Sequence, residues 1–218
     1  VIKLKRGREK SLKRRHPWIF SGAVEKAGGK AGDTVEVQEA SGKPIALAAY
    51  SPKSQIRARV WTFDVREAVD AAFFRNRVQK ALALREGLPA AKHTNALRLV
   101  NGENDGLPGL IVDRYADVLV AQFLAAGVER WRDAILDALT EMSGCEAIFE
   151  RSDAEVRKLE GLEPRVGFAR GNRNATRCPI IEHGLNFRVD VEQGQKTGFF
   201  LDQRENRQRV RALAAGRE

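Results

Sequence analysis

The chain has 218 residues, 43% of them hydrophobic, and a formal net charge of +9 at pH 7; that length predicts two or three small domains rather than one core. Its apolar stretches are broken by Arg, Lys, Gly or Pro, so no run approaches the ~20 residues of a membrane-spanning helix, and the start at Val1 to Leu4 lacks the apolar segment and cleavage site of a secreted protein. Cys145 and Cys178 are the only thiols, spaced for neither a zinc ribbon nor a disulfide scaffold, and are expected to be reduced cysteines of a cytoplasmic protein that holds no metal.

The opening segment concentrates the charge. Lys3, Lys5, Arg6, Arg8, Lys10, Lys13, Arg14 and Arg15 face only Glu9 there, a local positive potential that attracts phosphate backbones and releases their counterions. The aromatic block His16-Pro17-Trp18-Ile19-Phe20 follows and is expected to pack. Lys13, Arg14, Arg15, His16 and Trp18 are therefore candidate nucleic-acid-binding residues, against the alternatives of a solvated basic tail or a membrane-surface patch. Residues 33–39, 44–50 and 55–63 read as strands, and alternation in Thr34-Val35-Glu36-Val37-Gln38 and in Ile56-Arg57-Ala58-Arg59-Val60 marks the first and last as half-buried. Short strands and tight turns imply a small closed β-barrel over 1–65.

From Arg66 to Arg85 the period changes, with Val69, Phe73, Phe74, Val78, Ala81 and Leu82 recurring at helical spacing, and Gly87 and Pro89 mark the end. Strands are predicted at 97–100, 110–113 and 118–123. Pro108-Gly109 suits the centre of a type II turn, so the glycines of 101–109 shape turns rather than cradle phosphate. A helix over 127–142 aligns Trp131, Ile135, Leu139 and Met142; a strand at 147–151 leads to a helix at 153–159, capped by Ser152 and ended by Gly161. This makes an α+β domain over 66–178. Its last loop, 167–177, carries Arg170, Arg173 and Arg177, and Arg170 and Arg173 are further candidates for phosphate contact, with a solvated loop as the alternative.

Residues 180–191 read as a hairpin turning at His183-Gly184, which makes His183 a turn residue before a ligand. Beyond it, Gln193-Gly194-Gln195-Lys196-Thr197-Gly198-Phe199-Phe200-Leu201-Asp202-Gln203-Arg204-Glu205-Asn206-Arg207 predicts a strand through Phe199-Phe200 and a helix from Asp202 or Gln203, with Asp202 as its cap.

That last stretch resembles the opening motif of the class I methyltransferase domain in the ribosomal RNA large subunit methyltransferase I family. His16-Pro17-Trp18-Ile19-Phe20-Ser21-Gly22 is similar to the start of the family's PUA domain, a small RNA-binding barrel. Residues Gly102 to Tyr115 resemble its central-domain signature, and Glu150-Arg151-Ser152-Asp153 with Glu160-Gly161-Leu162 a second one. The resemblance implies an α+β multidomain chain: a PUA-like β-barrel (1–65), a central α+β domain (66–178), and the first hairpin and helix (179–218) of a truncated Rossmann-like methyltransferase domain.

It also implies methylation of cytosine carbon 5 in 23S ribosomal RNA with S-adenosyl-L-methionine (SAM) as cofactor. Such chemistry uses a cysteine thiolate that adds to carbon 6; Cys145 and Cys178 lie outside the catalytic domain, so the nucleophile is expected beyond Glu218. Lys196, Thr197, Gly198, Phe200, Asp202 and Arg204 would line the cofactor side, or else dock the hairpin on the rest of that domain. No strand, glycine loop and helix of the kind that holds such a donor follows Val191, and the chain as it stands is expected to be inactive. The alternative is a stand-alone RNA-binding module. Ribosomal RNA is the expected partner in either case, with no membrane, and an uncovered hairpin and helix leave a homodimer open.

Overall fold

The computed structural model describes residues 1–171, 176–214 and 216. Strands β1 (Ile2–Leu4), β2 (Trp18–Phe20), β3 (Val24–Ala27), β4 (Thr34–Gln38), β5 (Pro44–Tyr50) and β6 (Ile56–Thr62), with the short helix α1 (Lys10–Lys13), form the first unit. Period-2 alternation sends Val35 and Val37 inward to meet Ile2, Leu4, Ile19, Ala46, Ala48, Ala58 and Val60, while Thr34, Glu36 and Gln38 stay only partly covered. The strand order is β2-β6-β5-β4-β1-β3, with β1 parallel to β4 and the other pairs antiparallel. The unit is thus a curled sheet. Its edges, β2 and β3, are short and are joined by a 3-10 turn, Ser21–Ala23, whose Ala23 carbonyl accepts the Lys5 backbone N–H at 2.9 Å.

Helix α2 (Ala71–Glu86) starts at Asp70, whose carboxylate accepts the Phe73 N–H at 2.9 Å. The predicted start at Arg66 is too early because Asp64 closes a turn on the backbone N–H groups of Arg66 and Glu67. Five strands then make a central sheet, β7 (Ala96–Asn101), β8 (Leu110–Tyr115), β9 (Val118–Phe123), β10 (Ala147–Ser152) and β11 (Arg165–Arg170), in the order β11-β10-β9-β8-β7. Helices α3 (Ala126–Arg130) and α4 (Arg132–Ser143) follow β9, and α5 (Val156–Glu160) follows β10. The sheet is buried on both faces, which explains the nearly continuous apolar run of β9. Leu110, Val112, Leu119, Ala121, Phe123 and Ile148 face α2 and α4, while Tyr115, Val118, Val120 and Phe149 face the other way.

Two expectations in this region need correction. The single helix over 127–142 is divided at Trp131, where the backbone leaves the helical region. Ser152 caps no helix: it ends β10, and its hydroxyl accepts the Phe123 backbone N–H at 2.9 Å, tying β10 to β9, while α5 begins four residues later.

The first unit is welded to the central one. Ala49 and Trp61 of the curled sheet belong to the core beneath α2, where Trp61 meets Phe74 edge to face at 5.0 Å. Gly127 lets α3 approach this point, since a Cβ there would collide with Ala49 and the Trp61 ring.

Strands β12 (Arg177–Glu182) and β13 (Leu185–Asp190) form the expected hairpin, with both turn residues at positive φ, His183 at 49° and Gly184 at 76°, the geometry of a type I′ turn. Its inner residues Cys178, Ile180, Val189 and Val191 pack on Ala96, Tyr115, Val118 and Phe149, so the hairpin covers the open face of the central sheet. Phe199-Phe200 is not a strand. The segment bends into a 3-10 turn, Leu201–Gln203, and continues as α6 (Arg204–Ala214). No described helix is long and apolar enough to cross a membrane.

Candidate functional site

Two regions gather the candidate residues. The first lies on the N-terminal unit, where α1 and β2 are adjacent. The aromatic block packs only in part: Ile19 is buried, whereas Trp18 and Phe20, at the same strand parity, face outward, with Phe20 49% exposed. His16 joins them. Ring centroids lie 6.1 Å apart for His16 and Trp18, 6.2 Å for Trp18 and Phe20 and 6.4 Å for His16 and Phe20. Beside these rings runs a groove of about 680 Å³ lined by Arg8, Lys10, Arg14, Arg15 and His16.

The candidate cations differ in what they can offer. Lys13 pairs with Glu39 at 2.9 Å; the hydrogen bond to that carboxylate raises the ammonium above its ordinary pKa. Arg15 adopts a positive φ of 65° and lies over the Phe63 ring at 4.8 Å. Arg8 and Arg14 are exposed, and among the described residues neither is paired with a carboxylate. Arg170 is elsewhere. It sits in β11 rather than in a loop, with Asp137 at 2.8 Å and Asp133 at 3.3 Å, so its charge is answered locally. Arg173 lies outside the described residues.

The second region is the corner where the 193–204 segment meets the central sheet, and it divides the six cofactor-side candidates in two. Thr197 is 1% exposed. Its hydroxyl donates to Asp113 Oδ2 at 2.5 Å and contacts the Tyr115 hydroxyl at 2.8 Å. Because the threonine proton is committed to the carboxylate, Tyr115 donates to Thr197. Arg98 completes the network with two hydrogen bonds to Asp113, at 2.8 and 3.0 Å. Burial, with the Asp113 charge beside it, pushes the Tyr115 hydroxyl up to about 12, so it keeps its proton throughout the neutral range. Gly198 packs against Val189 and Asp190 with no space for a side chain. Arg204 is 9% exposed and donates to Glu182 at 3.2 Å and to the Ala96 carbonyl at 2.6 Å.

Thr197, Gly198 and Arg204 are thus joints, and they dock the segment on the central sheet. The other three are accessible. Lys196 bridges to Asp202 at 2.8 Å and lies over the Phe200 ring at 4.7 Å. That hydrogen bond holds the Asp202 carboxyl below its ordinary value, and Asp202 is a salt-bridge partner rather than a helix cap. Lys196, Asp202 and Arg98 border a cavity of about 270 Å³. A donor carrying a carboxylate, an amine and a ribose needs more polar partners than this corner supplies. The described residues fit one wall of such a site and not a whole one.

The family-like signatures prove to be where segments join. Glu103, from the first, accepts the Trp18 indole N–H at 2.6 Å. Glu160, from the second, is buried and receives Arg59 at 2.8 Å, the Ser51 hydroxyl at 2.7 Å and the Ala126 N–H at 3.2 Å. Sequence reasoning passed over Phe20, Glu103, Asp113, Tyr115 and Glu160 as functional residues. For Phe20 a signal existed, its shared parity with Trp18 opposite the buried Ile19. Both cysteines are buried and in no disulfide, and burial pushes the Cys145 thiol up, which suits a structural residue and not a nucleophile.

A curled N-terminal sheet bearing a basic and aromatic face, joined to a two-faced α+β layer, defines the class. Residues 2–63 match the PUA-like domain family. The resemblance drawn from the motifs holds over most of the chain: it is 50% identical across 94% of its length to ribosomal RNA large subunit methyltransferase I of Shewanella denitrificans, covering 53% of that protein. The same-named protein of Escherichia coli is 50% identical over 94% of the chain, with 52% of its own length covered, and that of Shewanella frigidimarina is 48% identical over 99%, with 55% covered. The chain therefore spans about half the length of the curated relatives it matches.

Solved structures agree on the fold. One from Streptococcus mutans, assigned as a SAM-dependent methyltransferase, superposes with a TM-score of 0.79 at 21% identity over 96% of this chain and 53% of that one. Another assigned methyltransferase, complexed with SAH, superposes with a TM-score of 0.80 at 22% identity over the same shares, 96% and 53%.

Proposed function

We propose that this chain is the RNA-binding part of a SAM-dependent methyltransferase that modifies cytosine carbon 5 in large-subunit ribosomal RNA in the cytoplasm. The observation that carries the reading is the half-identity to ribosomal RNA large subunit methyltransferase I over 94% of the chain. On this reading residues 1–65 contact RNA, 66–178 form the central domain, and 179–218 begin the methyltransferase domain, with the hairpin seated on the central sheet. Lys196, Phe200 and Asp202 supply one wall of the cofactor side. The cofactor would bring the methyl group; this chain's own residues orient that wall and bind the RNA. The nucleophile and the rest of the cofactor site belong to the remaining length seen in the relatives, and the 218-residue chain by itself transfers no methyl group.

A second reading, an RNA-binding module without catalysis, is favoured by the sealing of Thr197 and Arg204 into structural contacts. The two separate in a methyl-transfer assay with isotopically labelled SAM and unmodified large-subunit ribosomal RNA. It is run on this chain and on the longest polypeptide its gene encodes. Label recovered as 5-methylcytidine with the longer polypeptide alone is the expected result; no transfer by either supports the module.

A further inference from the structure

We infer that Phe20, Trp18 and His16 form a stacking shelf for a single unpaired RNA base, with Arg8 placed for the phosphate beside it. This rests on the RNA-binding reading and adds to it which form of RNA the face accepts.

Phe20 is a large aromatic that takes no place in the core. Phe20 sits on an edge strand, 49% exposed, while its neighbour Ile19 takes the core position. A large ring left in water costs free energy unless a partner covers it, and every base has a π-face that can do so. The rings beside it are fixed. Trp18 donates its indole N–H to Glu103 at 2.6 Å, and it meets Phe20 edge to face at an interplanar angle of 81°. With both neighbouring rings in place Phe20 still keeps 49% of its surface exposed, so part of it is available to a partner.

Phe20, Trp18, Ser11 and Arg8 border a cavity of about 240 Å³, room for one base and not for a duplex. Arg8 also lines the larger basic groove that runs past Arg14, so a backbone following the groove brings a phosphate to Arg8 as its base reaches Phe20. The charge is complementary, and Arg8 is not paired with a carboxylate among the described residues. Bases within an A-form helix keep their faces stacked on one another, so a shelf of this kind selects bulged, looped or terminal nucleotides.

Two RNAs of equal length and charge test the shelf on the full chain. One is a perfect duplex; the other carries a single unpaired 2-aminopurine. Binding of the unpaired RNA should quench the fluorophore. Phe20→Ala should lose the quench and weaken that RNA by on the order of tenfold, leave duplex affinity within about twofold, and be rescued by Phe20→Trp. If Phe20→Ala weakens both RNAs alike, or neither, the shelf is wrong. A fall in thermal stability without any change in RNA selectivity likewise assigns Phe20 to packing. If the unaltered chain binds neither RNA, the RNA-binding reading itself fails, which is a separate outcome from equal binding of both.

Discussion

Thr197 illustrates how much one hydroxyl can organise. It lies in a polar stretch that sequence reading assigns either to a cofactor or to docking, and its geometry favours docking: the hydroxyl serves both Asp113 and Tyr115 inside a buried site. Thr197→Val keeps the shape and removes one hydrogen bond from each of two buried polar groups that retain other partners, so a loss of roughly 1–3 kcal/mol is expected from thermal or denaturant unfolding. Thr197→Ser should recover most of it. Equal stability of the valine and wild-type proteins would contradict the network. Residues of this kind were illegible beforehand because a lone Thr, Glu103 or Glu160 leaves no periodic trace. Their partners lie 84, 85 and 101 positions away, at Asp113, Trp18 and Arg59.

The elements themselves were easier to read. Alternation located β4 and β6, and the paired turn residues located the β12–β13 hairpin, because each signal is local. The error over Phe199-Phe200 has the opposite origin, since tertiary contacts from Tyr115 and Arg204 bend a segment whose composition favours a strand. Two buried carboxylates hold elements together: Glu160 fixes α5 to the N-terminal unit, and Glu182 fixes α6 to the hairpin through Arg204 and Arg207. Burial works against charge on both. The charge of Arg59 with the Ser51 hydrogen bond at Glu160, and Arg207 with Arg204 at Glu182, outweigh it and hold each carboxyl below its ordinary value.

The sign of the pH dependence follows. A depressed folded pKa gives stability that is present above the unfolded value of about 4.3 and is lost as pH falls through the folded value beneath it. The melting temperature should therefore hold through neutral and mildly acidic pH and drop below about pH 4.3. Glu160→Gln leaves buried Arg59 with only its longer ion pair, to Glu103 at 3.9 Å, at an expected cost toward the lower end of about 3–5 kcal/mol at neutral pH, and should show a shallower acid drop. A wild-type melting temperature that stayed constant through the acid range would contradict this account.

At the scale of the whole molecule, the division into segments at 65 and 178 was a statement about sequence, while the packing crosses both positions. Trp61 enters the central core, and the hairpin covers the central sheet. The basic face therefore stands on a rigid body, and its orientation to the 196–204 corner is fixed by buried contacts rather than by a linker. Of the cations proposed from sequence, Arg14 and Arg15 have no carboxylate partner among the described residues, whereas Lys13 and Arg170 are paired. The segment's excess of positive charge was legible from composition; which side chains are spent on internal partners was not.

The most direct measurement is the affinity of the full chain for large-subunit ribosomal RNA fragments as a function of salt, with and without Arg14→Glu and Arg15→Glu together. The account predicts affinity falling linearly in log–log form with salt, and in the double variant a weaker complex whose slope is smaller by about 1 to 2, as expected when two phosphate contacts are lost. Lys13→Glu alone should do less. An unchanged affinity and slope in the double variant, at a salt concentration where the wild-type protein binds, would contradict the assignment of this face to RNA.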